Sequence, residues 1–313
     1  MTIKDRVESL KQKFNEDDRY KKWLQVVQKV LLVVVVGLII YNLFQIGWLE
    51  VLQSLPTQPL FYVLFVLIFL SLPVAEIFIY RQVWPLKRRD IFKAMLTKRV
   101  YNEEVMGYSG ELYLLPWARK RLDKSDWEIL ANIRDNNILS SINSASVGFV
   151  LIGILIFTGV IDPNLVFDNV NFVYVITGLV VTIAIFAILL QFRRYIFSLP
   201  LKKALKVYSI YFSRFIIHHA LFVAQWAVVI PETPISIWLI FITLMIVVNR
   251  IPFLPSHDLV FLWAGIELAK VLDMTTSSVA GMLLVFSALK KSANFILYIM
   301  LTWQNKGKEI EKG

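Results

Sequence analysis

Long apolar runs dominate this chain and limit what it can fold into. Crossing the roughly 30 Å hydrocarbon core of a bilayer takes about 20 apolar helical residues, and several stretches reach that length with few or no charges. Composition agrees, since 57% of the residues are hydrophobic and the mean hydropathy is +0.63. Because backbone polar groups in lipid must be satisfied internally, such runs predict helices. The predicted fold is therefore all-α: a polytopic integral membrane protein with about six full transmembrane helices plus two re-entrant or broken helical elements.

Cations mark the ends of the predicted spans. Lys and Arg number twelve in 81–137, and 193–214 has six of them and no acid. By the positive-inside tendency, these connections and both termini are predicted to be cytoplasmic. The membrane is predicted to be the bacterial cytoplasmic (inner) membrane. The predicted spans cover 30–48, 59–80 (broken by Pro73), 138–161, 170–192, 215–231 and 233–249.

A single membrane domain, 23–303, is predicted between two short terminal segments. Residues 1–22 are polar, with apolar residues at helical spacing, which predicts an amphipathic helix on the membrane surface. A solvated, coiled-coil-like tail fits the same pattern. Residues 304–313 are Lys-rich and are predicted to form a cytoplasmic tail.

Two segments are predicted to enter the bilayer without crossing it. The segment 250–270 begins with two prolines and continues as an apolar helix too short to span. The stretch MGYSGELYLLPWARKR, 106–121, starts with glycines and ends in cations within the connection 81–137. Irregular backbone at membrane depth is tolerated only against protein or a water-filled cavity. Both segments therefore predict a nearby cavity, and a surface loop is the alternative for 81–137.

Lys290 and Lys291 divide the last apolar region into two halves, each too short to cross alone. A straight helix would place both cations near mid-bilayer, at about 2.5–3.5 kcal/mol each on insertion scales. The prediction is a broken helix or a lysine pair that faces water. The alternative is a span that ends at these lysines.

These elements resemble the transmembrane-region family of lysylphosphatidylglycerol synthases, which are lipid-flippase-like domains. The resemblance lies in Gly110-Glu111 followed by a basic segment with Arg119 and Arg121, in the late turn IPFLPSHDL and in the small-residue run TTSSVAGMLLVFSALKK after it. It covers about 25–303. Members that synthesise aminoacylated lipid carry a large soluble domain after the membrane part, so the resemblance implies a lipid-handling, flippase-like domain without the transferase.

The chain departs from that family at one turn. Where the family has Pro-Gly-Gly leading to a glutamate, this chain reads Pro255-Ser256-His257-Asp258. The carboxylate of this turn could be Asp258, but the backbone freedom that the glycines provide is absent.

Charged residues at the irregular elements form the predicted substrate site. Arginine presents a planar fork suited to phosphate, and an acid within a span is by default a functional candidate. Juxtamembrane attraction to anionic lipid and, for Glu267 with Lys270, a structural pair are the plainer alternatives. The residues predicted to bind an anionic headgroup are Glu111, Arg119, Arg121, Arg250, Asp258 and Lys290. Those predicted to gate or balance charge are Glu76, Arg81, Gly110, Pro255, Glu267 and Lys270.

No catalytic, cofactor or metal site is predicted. The chain has no cysteine, and the adjacent His218 and His219 would point about 100° apart on a helix. The consecutive Ser256, His257 and Asp258 cannot line up as nucleophile, base and orienting acid. Nucleic acid is not a predicted partner either, because the net charge of +10 lies beside the spans. The predicted partners are membrane lipids with anionic headgroups, with room for a protein partner or a homo-oligomer.

These observations predict a non-enzymatic membrane protein that binds and translocates a lipid or lipid-linked anionic substrate. The alternative is a non-transporting scaffold that recruits a partner enzyme of lipid or envelope biosynthesis through 1–22 and 81–137.

Overall fold

The computed structural model describes residues 18–104, 109–159, 197–249, 251, 254 and 256–310, and every regular element in these ranges is an α-helix. The predicted all-α fold is therefore confirmed. The predicted span 170–192 and most of the segment 1–22 lie outside the described residues. The helices are α1 (Asp18–Ile46), α2 (Trp48–Gln53), α3 (Pro59–Tyr80), α4 (Arg88–Glu104), α5 (Ser109–Arg119), α6 (Asp126–Phe157), α7 (Leu201–Val229), α8 (Ile235–Val248), α9 (His257–Val271) and α10 (Thr276–Ile310).

Five of the described helices are long and apolar enough to cross a membrane. The apolar helix α8 has only 14 residues, which at 1.5 Å per residue gives about 21 Å. The span predicted at 233–249 is thus shorter in the structure than a full crossing requires. The five candidate spans are Lys29–Ile46, Pro59–Tyr80, Asp126–Phe157, Leu201–Val229 and Thr276–Met300.

Two helices begin well before the predicted spans. Helix α6 starts at Asp126, and α7 starts at Leu201, directly after Pro200. The start of α6 is fixed by a capping box, in which the Ser125 side chain accepts from the Glu128 amide and the Glu128 carboxylate accepts from the Ser125 amide. The polar segment 126–137 therefore belongs to a continuous helix rather than to the connection.

The predicted breaks at Pro73 and at Lys290 and Lys291 are wrong. Helix α3 continues through Pro73, and α10 continues through both lysines. Side chains from other helices compensate Pro73 and Lys290, two of the residues that suggested a break. The tail 304–313 is likewise helical as far as Ile310.

Two clusters of buried apolar side chains hold the helices together. The larger joins α1, α2, α3, α8, α9 and α10 with the second half of α7. The smaller joins the end of α3 with α4, α5, the start of α6 and the first half of α7. Along α7 the clusters meet between Tyr211 and Phe215, and along α3 they meet between Ile68 and Ile79. Polar residues occupy this boundary.

Candidate functional site

A polar cavity of about 200 Å³ lies at the boundary between the two apolar clusters. Four of its lining residues come from α4, and the others come from α3, α5, α6 and α7. Five of the lining side chains are carboxylic acids or Lys and Arg cations, and such residues are rare within the spans of a membrane protein. The lining residues are Leu72, Glu76, Lys98, Arg99, Asn102, Glu103, Glu111, Asn137, Ser140 and Tyr211.

Lys98 is the centre of the cavity's charge. Its Nζ lies 2.6 Å from Glu76 Oε1 and 3.4 Å from Glu111 Oε1. It also lies 5.8 Å from the centroid of the Tyr80 ring. Glu76 is 3% exposed and Glu111 is 14% exposed. One cation thus faces two carboxylates, and the longer of the two N–O distances is the one to Glu111, the more exposed acid.

Lys98 is held in its charged form. Burial by itself lowers the pKa of the ammonium, but Glu76, the Tyr80 phenol and Glu111 stabilise the charge, and the pKa lies well above its ordinary value. Lys98 therefore stays a cation across the physiological pH range, although its side chain is only 10% exposed.

Arg99 is positioned by the proline in α3. Pro73 has no amide hydrogen, so the carbonyl of Phe69, four residues earlier, loses its helical donor. The Arg99 guanidinium donates to this carbonyl, and its Cζ lies 3.9 Å from the centroid of the Phe69 ring. This bond satisfies the carbonyl that the proline leaves without a helical donor, and it holds a guanidinium at the cavity.

A second charged cluster joins α4 to α9 and α10. Lys290 Nζ lies 2.9 Å from Asp258 Oδ2 and 3.3 Å from Glu103 Oε2. Glu103 is also 3.3 Å from Arg99 Nε and accepts from Asn294 at 2.7 Å. Burial raises the pKa of Glu103, but Lys290 and Arg99 outweigh it, so the pKa lies below its ordinary value. The pairing of Lys290 removes the electrostatic reason for a break in α10.

Gly110 brings α5 close to α4. A Cβ at this position would lie 2.2 Å from the Lys98 carbonyl oxygen and 2.8 Å from Asn102 Oδ1. The Gly110 amide donates to the same Asn102 Oδ1 at 2.6 Å. The predicted gating residue is thus, in the structure, a close-packing glycine that sets the position of the adjacent Glu111.

Gly110→Ala is expected to destabilise the protein by at least about 1–3 kcal/mol, because the methyl group meets backbone that cannot move aside cheaply. The measurement is thermal unfolding of the purified protein in detergent. Gly153→Ala is the matched control, since nothing lies within 4 Å of a Cβ there. An unchanged midpoint for Gly110→Ala would contradict the close approach of α5 to α4.

The structure brings together only some of the predicted substrate-binding residues. Glu111 lines the cavity, and Asp258 with Lys290 forms the second cluster. Arg119 pairs instead with Asp126, and Arg121 stacks on Trp117, with its Cζ 4.7 Å from the ring centroid. Arg119 and Arg121 are both exposed and do not line the cavity.

Of the residues predicted to gate or balance charge, one lines the cavity and the others that the structure describes lie elsewhere. Glu76 lines the cavity but pairs with Lys98, while the Arg81 side chain is exposed at the end of α3. Glu267 pairs with Lys270 at 3.2 Å. The amide of the buried Asn42 links that pair to α1, since Glu267 accepts from it at 2.8 Å and Lys270 donates to it at 2.8 Å. Arg250 and Pro255 lie outside the described residues.

Sequence reasoning missed Lys98, Arg99 and Glu103. A signal was present, because Arg99 and Glu103 are four residues apart and so lie on one helix face. The same spacing relates Lys98 to Asn102. These two pairs of polar residues therefore lie side by side on one side of α4. Within the described ranges, no group of acids and histidines is arranged to hold a metal ion.

Taken with this geometry, the long apolar helices define an α-helical polytopic membrane protein. No protein-family model matches the chain, and no curated protein or solved structure matches it either.

Proposed function

We propose that this protein binds the anionic headgroup of a lipid or lipid-linked substrate in the Lys98 cavity and translocates it across the membrane. The observation that carries the proposal is the cavity itself, which contains an ammonium and a guanidinium where the two apolar clusters meet. The Lys98 ammonium is suited to phosphate, and the neighbouring Arg99 guanidinium adds positive charge. The resemblance to the flippase-like family points in the same direction and stays a prediction.

The longer of the two Lys98 contacts, the one with Glu111, is the one that an entering anion can replace. Glu111 is 3.4 Å from Lys98, whereas Glu76 is 2.6 Å from it. An entering phosphate can take the place of Glu111 while Glu76 keeps the ammonium in position. The exposed apolar surfaces of α3 and α6, with Val63 and Phe149 among them, would leave the acyl chains in lipid.

Polar side chains along α6 support a route beyond the cavity. Asn136, Ser140 and Asn143 recur at helical spacing on one side of α6. Asn143 is 1% exposed and donates to the Tyr211 carbonyl at 3.4 Å, and nothing in the described residues donates to its Oδ1. A polar residue in a membrane span is costly and is therefore a functional candidate.

The test is translocation in sealed vesicles of phosphatidylcholine that contain a trace of fluorescent phosphatidylglycerol or of fluorescent phosphatidylcholine. A membrane-impermeant quencher reports the accessible label. We expect the protein to expose the inner-leaflet phosphatidylglycerol faster than the neutral lipid. The double variant Lys98→Gln with Glu76→Gln removes the pair together and should lose this preference, while Lys202→Gln, at an exposed site, should keep it. Equal rates for the wild type and the double variant would reject the proposal.

We propose a bacterial cytoplasmic membrane with cytoplasmic termini, and this orientation makes its own prediction. The basic connection before α6 should face the cytoplasm and the loop 231–234 the opposite side. Because the chain has no cysteine, single variants Lys124→Cys and Glu232→Cys can be labelled in right-side-out vesicles with an impermeant maleimide. We expect labelling at 232 and protection at 124, and the reverse pattern would overturn the orientation.

The scaffold function remains the second candidate, and exposed aromatic and apolar side chains favour it. Trp127 is 74% exposed and Leu112 is 70% exposed, close in sequence to the cations of 119–121. Such a surface suits a partner protein or the membrane interface. A protein that binds a partner through it and shows no lipid translocation in the vesicle assay would be a scaffold.

A further inference from the structure

Two carboxylates share one cation in the cavity, and this imbalance has a consequence for any anion that binds there. If an anion takes a place beside Lys98, it displaces Glu111 as a partner of the ammonium. The Glu111 carboxylate, whose side chain is only 14% exposed, then lies next to a second negative charge. A buried carboxylate without a counter-ion is strongly disfavoured, and the usual response is to take up a proton.

We infer that the binding of an anionic headgroup at Lys98 is coupled to the uptake of one proton by Glu111. This inference rests on the proposed function, because it needs an anion in the cavity. The charges balance: the anion adds one negative charge and the proton adds one positive charge, so the net charge of the cavity is unchanged. The proton comes from water and forms an O–H bond on the Glu111 carboxylate.

Glu111 is better suited to take the proton than Glu76. Nothing in the described part of the chain donates to Glu111 Oε2, so this oxygen is free to bind a proton. The Glu111 side chain is 14% exposed and that of Glu76 is 3% exposed, so Glu111 is the more accessible of the two acids. Glu76 also keeps its 2.6 Å contact with Lys98.

The other charged groups around Glu111 do not supply a replacement cation. Arg99 is already bound to the Phe69 carbonyl and to Glu103. Lys290 is bound to Glu103 and Asp258. Arg214 of α7 is not among the residues that line the cavity. The titratable and charged groups that face the cavity or lie directly behind its walls are Glu76 and Tyr80 on α3, Lys98, Arg99 and Glu103 on α4, Tyr211 and Arg214 on α7, and Lys290 on α10.

Coupling of this kind fixes the sign of the pH dependence. The complex holds one proton more than the free protein, so anion affinity rises as pH falls and is lost as pH rises. With one proton taken up, the change reaches at most about tenfold per pH unit. A pH gradient across the membrane would then bias the direction in which the headgroup is carried.

The test uses the full-length protein in phosphatidylcholine nanodiscs and phosphatidylglycerol as the probe, because its phosphodiester lacks the second proton that a phosphate monoester loses at about pH 6. Calorimetric titration in two buffers with different ionisation enthalpies counts the protons taken up. We expect an uptake approaching one proton per bound lipid in the wild type and affinity that rises as pH falls. This count needs no variant, so it does not depend on any variant folding.

Glu111→Gln provides the second arm, because the amide resembles the protonated acid in shape and charge. We expect it to bind phosphatidylglycerol with no proton uptake and with an affinity independent of pH. Glu232→Gln, at an exposed site, should behave as the wild type does. Binding without proton uptake in the wild type, or an unchanged pH dependence in Glu111→Gln, would overturn the inference and leave the proposed function standing. No binding at any pH would reject the proposed function itself.

Discussion

Lys98→Met is expected to lower the stability of the protein by about 3–5 kcal/mol, the usual effect of removing one partner from a buried ion pair. The substitution leaves Glu76 and Glu111 close together with no cation between them. Methionine keeps the unbranched chain and the helix propensity of lysine, so the loss reports charge and not shape. Thermal or denaturant unfolding in detergent measures it, and phosphatidylglycerol binding should be lost in any fraction that remains folded.

Two further variants show whether the lost stability comes from the unpaired Glu76 carboxylate or from the removal of any lysine. Lys202→Met removes an exposed cation, and surface changes of this kind usually stay within about 0.5 kcal/mol. Adding Glu76→Gln to Lys98→Met removes the stranded charge and should restore part of the lost stability. If the double variant is no more stable than Lys98→Met alone, the 2.6 Å contact between Lys98 and Glu76 is not an important interaction.

Much of the fold could be predicted because the requirement that sets it is local. A run such as 59–80 must be helical in lipid whatever else the protein does, and the structure places α3 at those residues. Helix ends were less predictable, because a membrane helix can continue into water. The predicted span 138–161 missed the start of α6 at Asp126, although the sequence Ser125-x-x-Glu128 contains a capping box.

The charged elements were harder to predict because their partners are distant in sequence. Pro73 and Lys290 are each unfavourable within a helix when only neighbouring residues are considered. The structure compensates Pro73 with Arg99, 30 residues from the Phe69 carbonyl that it binds, and Lys290 with Asp258, 32 residues away. A single sequence does not reveal such pairs. The two predicted breaks were therefore wrong for one shared physical reason.

The candidate site was predicted in part for the same reason. Glu76 and Glu111 stand out because acids in or near apolar segments are costly, and both line the cavity. Lys98 did not stand out, since it is one of twelve Lys and Arg residues in 81–137. Only the packing of α4 against α3 and α5 distinguishes it from the exposed Arg119 and Arg121.

Lys290→Met tests whether the cation within α10 is compensated, because two accounts of it predict opposite signs. An uncompensated lysine in a span costs about 2.5–3.5 kcal/mol on insertion scales, so its removal should stabilise the protein. A lysine paired with Asp258 and Glu103 should instead leave Asp258 without its cation when removed. We expect a loss of about 2–4 kcal/mol, below the full effect of a buried pair because the partners are partly exposed.

The sign of the change in unfolding free energy therefore shows whether Lys290 is compensated by its acidic partners. Lys291→Met is the matched control, because the neighbouring side chain is exposed and exposed ion pairs contribute at most about 1 kcal/mol. Adding Asp258→Asn to Lys290→Met should recover part of the lost stability. Asp258 is then no longer a carboxylate, and Glu103 is still paired with Arg99. A more stable Lys290→Met protein would mean that α9 and α4 do not neutralise the lysine, and the continuous helix α10 would then need another explanation.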